Sequence, residues 1–436
     1  MRSEENKIPA TDFDVLIAGG GMVGASLAAA LAPLPLKVAV VEAVPFGSRG
    51  QPSYDERITA VSWGSRRIFE SIGLWPLIAP EAVPIHQVHV SDRGRPGMTR
   101  MYAQEMGVEA LGYVVPNRVI GMALSEFLTR QPRIQFMAPA KLMDARMQSD
   151  QIAVSVEQDS AQKLTARLLV AADGAQSSIR KQLGIAARVW DYRQSAVICN
   201  VSVERPQAHT AFERFTNNGP LALLPMGGDK YALIWTVASE RVEAVLASSE
   251  TDFLAAASEN FNGRLGRFLK AGKRQAYPLS LVRADTQLHG RAVIVGNAAH
   301  SLHPIAGQGF NLSLRDVAAL ADTLAEITAN GGDAGDAQRL DVYVRARRRD
   351  QTGTTLFTDF LTRVFNNPLT SVRLARNAGL LALELFPPAR HLLARHNLGV
   401  AGRLPRLARG VKLGIKPVAE PQAVSSMGRG RLRAKH

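Results

Sequence analysis

The chain has 436 residues, 46% of them hydrophobic and 21% charged, enough for two or three packed units and too apolar for a disordered polymer. Its single cysteine, Cys199, excludes an intrachain disulfide and points to a reducing, intracellular setting. The formal net charge of +14 gathers at one end, because from residue 371 onward 13 Lys and Arg side chains face only Glu384 and Glu420.

In chain order, Phe13 to Ala18 reads as a buried strand, Gly24 to Leu31 as a small-residue helix and Lys37 to Glu42 as a second strand, a βαβ unit. The uncharged run from Val15 to Leu36 does not read as a membrane span or signal core. Acidic Glu4, Glu5, Asp12 and Asp14 precede it, and Gly19, Gly20 and Gly21 would break a spanning helix. Alternation predicts strands from Ile152 to Glu157 and from Leu168 to Ala172, and an antiparallel sheet containing Ala196 to Val203 and Lys230 to Val237. Ala292 to Val295 predicts another buried strand, followed by a glycine-rich turn and a helix from Asn311 to Ile327. Beyond a surface loop at Asn330 to Asp336 the chain reads as mainly helical.

The first motif, Gly19-Gly20-Gly21-Met22-Val23-Gly24, is a G-x-G-x-x-G between strand and helix, with Glu42 ending the next strand 18 residues on. Gly19 permits the tight turn, Gly21 lets backbone approach a pyrophosphate, and Gly24 permits close helix packing. The helix N-terminus supplies N–H donors, and Glu42 would hold a ribose hydroxyl. Glycines alone would serve packing; in this context they predict a dinucleotide, either NAD or FAD.

Two further segments decide that choice. Val170-Ala171-Ala172-Asp173-Gly174-Ala175-Gln176-Ser177-Ser178-Ile179-Arg180 resembles the A-D-G-x-x-S-x-x-R element of class A flavoprotein monooxygenases. Gly296-Asn297-Ala298-Ala299-His300, continuing through Pro304, Gly307, Gln308 and Gly309 to Asn311, resembles their G-D-A-A-H…P…G-x-G-x-N flavin motif. By itself Asp173-Gly174 reads as an ordinary turn, but the three motifs occur in the family's order, about 150 and then about 120 residues apart. Asp55-Glu56-Arg57 resembles the family's D-x-R element, whose arginine lies beside the flavin, although Glu56 stands where relatives often carry glycine. Asn297 replaces the aspartate of the wider class, and its amide can still bond a ribityl hydroxyl without the charge. The stretches Val88 to Gly94, Ala211 to Thr216, Gly219 to Met226 and Ala271 to Arg274 narrow the resemblance to the ubiquinone-biosynthesis hydroxylases.

That resemblance implies an α/β fold: a Rossmann-like FAD-binding domain of the para-hydroxybenzoate hydroxylase type, interleaved with an α+β substrate domain built on an antiparallel sheet. The expected parts are residues 1–78, 105–182 and 283–345 for FAD, and 79–104 and 183–282 for substrate. C-terminal helices follow over 346–420, then a disordered basic tail over 421–436. The implied cofactor is FAD, reduced by NADPH or NADH, with O2 as cosubstrate. The implied reaction hydroxylates a polyprenylated phenol, a 2-polyprenyl-6-methoxyphenol, para to its hydroxyl. His300 and His303 are the nearest titratable candidates for influencing phenol ionisation, with a structural role at least as fitting for each. Phe215, Leu223, Pro225 and Trp235 are read as lining the substrate site, against the commoner role of strand apolar residues as core.

Val400, Leu404, Leu407, Val411 and Ile415 recur at helical spacing opposite Arg403, Arg406, Arg409, Lys412 and Lys416. This predicts a basic amphipathic segment suited to anionic lipid at the inner face of the cell membrane or to other ubiquinone-biosynthesis enzymes; a homo-oligomer is a separate expectation. Pro405, Gly410 and Gly414 weaken it as a continuous helix. Nucleic acid is not an expected partner, because the charge is terminal and lacks interleaved aromatics. No zinc spacing, P-loop or G-x-S-x-G elbow supports hydrolysis or phosphotransfer.

Overall fold

A computed structural model describes residues 10–45, 57–216, 219–367 and 369–414. The strands Phe13–Ala18 and Val38–Val41 run parallel, and Ala161–Ala171, Ile134–Met137 and Ala292–Ile294 extend the sheet in parallel on either side. Their near-continuous apolar sequences follow from burial on both faces. Met22–Leu31 covers one face together with the long Gln308–Ala329 helix, and the two pack around Leu27, Leu31, Leu314 and Leu320. An antiparallel extension, Lys141–Met147 and Ile152–Glu157, continues from Ala161–Ala171.

A second, nine-stranded sheet forms the other layer. Ala187–Val203 pairs antiparallel with Lys230–Ala238 and Gln275–Ala284, and Gly219–Pro225 joins Lys230–Ala238 to Thr210–Thr216. One pair departs from the antiparallel expectation. Thr210–Thr216 runs parallel to Gln87–Asp92, because that strand enters from the earlier excursion of the chain into this domain. Apolar side chains on the outer face pack under Glu250–Phe261, while the inner face turns toward the FAD-type domain.

The helices Ala337–Asn366, Thr370–Leu385 and Pro387–Asn397 close the structure. Arg376 forks onto Asp92 at 2.9 and 3.1 Å, and Asn377 donates to the same carboxylate at 2.7 Å. All three residues are buried, so the C-terminal helices are fixed to the edge of the substrate sheet. Among the described residues no helix is long and apolar enough to cross a membrane.

The amphipathic helix expected after Val400 does not form among the described residues. Only Leu407–Arg409 makes a single 3-10 turn. Pro405 removes a backbone donor and Gly410 adopts φ 82. Leu407 of that pattern is also already committed, buried with Leu413 in the core under the parallel sheet. The amide and guanidinium of Arg406 both bond Asp322, at 2.7 and 3.0 Å. Ile415, Lys416 and the tail lie outside the described residues.

Candidate active site

Parts of all three motifs border one cavity of about 550 Å3 between the two sheets. Gly21, Met22 and Val23 reach it from the first motif, Ala172 and Gly174 from the second. The third supplies Asn297, Pro304, Gly307, Gln308, Gly309 and Asn311. Arg57 also reaches it, its guanidinium 4.9 Å from the ring centre of Tyr277; Asp55 and Glu56 lie outside the described residues.

The remaining motif residues build the cradle from behind. Gly19 takes φ +102, a left-handed value that favours glycine. Glu42 accepts N–H bonds from Gly20 at 2.7 Å and Val44 at 2.9 Å, which orient its carboxylate beside the glycine loop. Ser177 caps a short helix by accepting the Arg180 N–H at 2.9 Å. Arg180 then spans the second and third motifs, donating to the carbonyls of Ala175 at 3.1 Å and Ala298 at 2.7 Å. Asn311 accepts from the Ser62 N–H at 2.9 Å and donates to the carbonyls of Ala60 and Gly307 at 2.8 and 2.7 Å. Ser177, Arg180 and Asn311 therefore use their polar atoms to hold the loops, with Asn311 alone also bordering the cavity.

These residues fit FAD. The Asp173 Oδ1 and Gln308 Oε1 atoms are buried acceptors with no partner among the described residues, which hydroxyl or N–H donors of a bound flavin nucleotide would satisfy. Asn297 is open to the cavity. At the Pro304 to Gly309 turn, Ala306 and Gly307 take consecutive left-handed values, φ 58 and 59, before the Gln308–Ala329 helix begins. Backbone N–H groups and a helix N-terminus there suit an anionic ring edge.

The two histidines separate. His300 Nε2 lies 2.6 Å from Asp316 Oδ2, and Arg347 donates to the other oxygen of that carboxylate at 2.6 Å. His300 borders a second, smaller cavity rather than the first. His303 does border the first cavity, but burial pushes it down to about 4, so it is neutral near pH 7. Its Nδ1 accepts the Ile305 N–H at 3.3 Å, which leaves the proton on Nε2. Neither arrangement suits a proton acceptor for a phenol in this cavity.

The expected substrate lining needs correction by one residue along the strands. Leu223 and Trp235 sit in the outer core under Glu250–Phe261, and Pro225 falls on the same side. Alternation instead turns Pro220, Ala222, Leu224, Ile234 and Thr236 into the cavity. Phe215 shares the inward side but stacks on Phe365, ring centres 3.4 Å apart, and is consumed there. Hydrophobicity alone pointed to the largest side chains, which belong to the core, whereas a ligand wall leaves smaller ones. Two substitutions separate the faces. Trp235→Ala is expected to destabilise by about 3–5 kcal/mol in denaturant titrations while leaving KM for a phenol within a few-fold. Ala222→Trp is expected to raise that KM at least about 10-fold with little loss of stability.

An FAD binding domain family model matches residues 12–358 of this chain. The chain is 38% identical to the ubiquinone hydroxylase UbiL of Rhodospirillum rubrum, over 92% of this chain and 93% of that protein. It is 30% identical to the 3-demethoxyubiquinol 3-hydroxylase of Escherichia coli, over 89% and 98%. Among solved structures, p-nitrophenol 4-monooxygenase PnpA from Pseudomonas putida superposes with a TM-score of 0.74 at 18% identity, over 89% of this chain and 99% of that one. At that identity the match speaks for the fold.

Proposed function

Because the chain belongs to the FAD binding domain family, and within it to the class A flavin monooxygenases of ubiquinone biosynthesis, we propose that its substrate is a 2-polyprenyl-6-methoxyphenol, hydroxylated para to the existing hydroxyl. NADPH or NADH would be the electron donor and O2 the cosubstrate. The observation that carries this reading is the cavity itself: a wall of small and aliphatic residues faces the flavin-type turn across a space of about 550 Å3, which suits an apolar ring.

Bound at the three motifs, FAD would supply the redox and oxygen-activating chemistry. The protein's share is placement and exclusion. Gly21 to Val23 and Asn297 would hold the cofactor, and the turn amides before Gln308 would stabilise negative charge at its ring edge. Ala222, Leu224 and Ile234 would press the phenol ring toward that turn and keep water away.

Labelled molecular oxygen tests the reaction. Purified protein with FAD, NADPH and a short-chain 2-prenyl-6-methoxyphenol is expected to place one labelled oxygen para to the hydroxyl, read by mass spectrometry. Label at another position would overturn the regiochemistry, and NADPH consumption yielding only peroxide would overturn the substrate.

Delivery of a prenylated substrate favours contact with lipid, and the apolar surface for it lies on the last helices. Leu385 is 81% exposed and Leu392 71% exposed, flanked by exposed Phe386 and Leu374. Pro387–Asn397 also contributes Ala394 and Asn397 to the cavity wall, so one helix touches both the surface and the site. The concentration of Lys and Arg beyond residue 371 complements an anionic bilayer. The protein is expected to co-sediment with anionic vesicles. Leu385→Glu with Leu392→Glu should weaken that binding at least about 10-fold, and unchanged sedimentation would remove this surface from consideration.

A further inference from the structure

Among the described residues that border the cavity, Glu213 is the only acid. It sits in the middle of Thr210–Thr216, with Ala222 opposite on one neighbouring strand and Val90 on the other. Ala211, Ala222 and Leu224 surround it on the inward face, and the Phe215, Ile305 and Phe365 cluster closes the side toward the C-terminal helices. Protein encloses the side chain, yet part of its surface remains open to the cavity. It borders the same cavity as Ala306 and Gly307, the left-handed residues of the flavin-type turn. A carboxylate on an apolar wall is costly unless something is gained from it, and here it lies between the substrate sheet and that turn.

We propose that Glu213 is the base that takes the phenolic proton of the substrate, held at the cavity by its place in the middle of Thr210–Thr216. The inference rests on the hydroxylase reading given above. In the step, the phenol O–H bond breaks and its proton passes to a Glu213 oxygen. The electron pair stays on the phenolate and enriches the ring carbon para to it. The hydroxylation itself supplies the oxygen atom. Once oxygen has been added, that carbon releases its hydrogen as a proton to solvent and the ring becomes aromatic again. Glu213 then returns the first proton to the phenolic oxygen, leaving a neutral product and an ionised carboxylate.

Burial pushes the Glu213 carboxyl up to about 7, against the lowering pull of the Ala306 amide. It is therefore ionised at pH 8 and a much stronger base than an ordinary carboxylate, working on a phenol near about 10. The elements against it present Ala222, Val90, Ile305 and Ala306, none of them titratable. The other ionisable groups bordering the cavity are Arg57 and His303. The Arg57 guanidinium would favour a phenolate, while His303 is neutral near pH 7 with its acceptor nitrogen already bonded.

Below about pH 7 Glu213 is protonated and cannot accept, so kcat/KM should fall with falling pH through that value. Glu213→Gln keeps the shape and removes the base. Its kcat/KM at pH 8 is expected to drop about 100-fold or more, with the rise moved toward the phenol's own ionisation near about 10. Glu213→Asp should recover part of the loss. The decisive readout is the pH profile of hydroxylation at equal flavin content, with KM followed alongside. Wild type should rise through about pH 7, and Glu213→Gln should lack that limb while KM changes only a few-fold. A Gln variant that retains flavin and keeps the wild-type pH profile and rate would overturn the assignment. Wild type that neither binds nor hydroxylates the phenol would instead sink the substrate reading beneath it.

Discussion

Replacing Asp316 with alanine is expected to cost about 3–5 kcal/mol of stability, a large share of the roughly 5–15 kcal/mol typical of a folded domain. Asp316 is fully buried, and its two oxygens bond His300 and Arg347, each at 2.6 Å. Arg347 and Arg315 in turn share Asp350, at 2.6 and 2.7 Å. Burial raises the Asp316 carboxyl, but Arg347 and His300 together hold it below its ordinary value of 3.8. Truncating it would leave a guanidinium that is 4% exposed with Asp350 alone, a carboxylate it already shares with Arg315, and breaking one half of a buried pair is costly. Urea titration of Asp316→Ala against wild type measures this. Asp316→Leu combined with Arg347→Met should recover much of the loss, because it removes both charges. A lowered carboxylate stabilises the fold above its unfolded value and ceases to do so as pH falls through the folded one. The wild-type advantage over the double variant should therefore shrink below about pH 4. An Asp316→Ala loss under about 1 kcal/mol would mean that solvent replaces the carboxylate.

The nucleotide half of the fold was legible because its signals are local. The parallel strand Phe13–Ala18 and the loop Gly19 to Gly24 are contiguous, and each glycine answers a geometric need that can be stated from the sequence alone. The substrate wall was not legible to the same degree. Its strands are rich in apolar residues on both faces, so size drew attention to Trp235 and Leu223, whereas alternation around Ala222 and Ile234 sets the cavity. Glu213 lay within a stretch already singled out for family resemblance. A single acid in a strand whose inward-facing neighbours, Ala211 and Phe215, are apolar was the available signal, but only the shared cavity shows which face it serves. The basic C-terminus misled because charge at helical spacing cannot report that Leu407 and Leu413 are already spent on the FAD-domain core.

The glycine loop offers the sharpest test of how the nucleotide is held. A Cβ on Gly24 would lie 1.9 Å from the carbonyl oxygen of Gly19 and 3.2 Å from Ile17 Cγ2. The Gly19 backbone cannot yield without moving Met22–Leu31 away from the strand that precedes the loop, and that movement withdraws the helix N-terminus from the pyrophosphate position. Overpacking of this kind costs about 1–3 kcal/mol, so if the loss falls mainly on the bound state, Gly24→Ala should weaken FAD binding by about 10- to 100-fold. The protein should purify with a reduced ratio of flavin to protein absorbance, and added FAD should restore activity only at raised concentration. Gly353→Ala provides the control. That residue lies inside Ala337–Asn366, and its added Cβ would meet nothing within 4 Å, so the change should leave flavin content alone and stabilise by about 0.5–1 kcal/mol through helix propensity. Equal flavin content in both variants would mean that the closeness of Gly24 to Gly19 serves helix packing alone, and that the nucleotide is held by the second and third motifs.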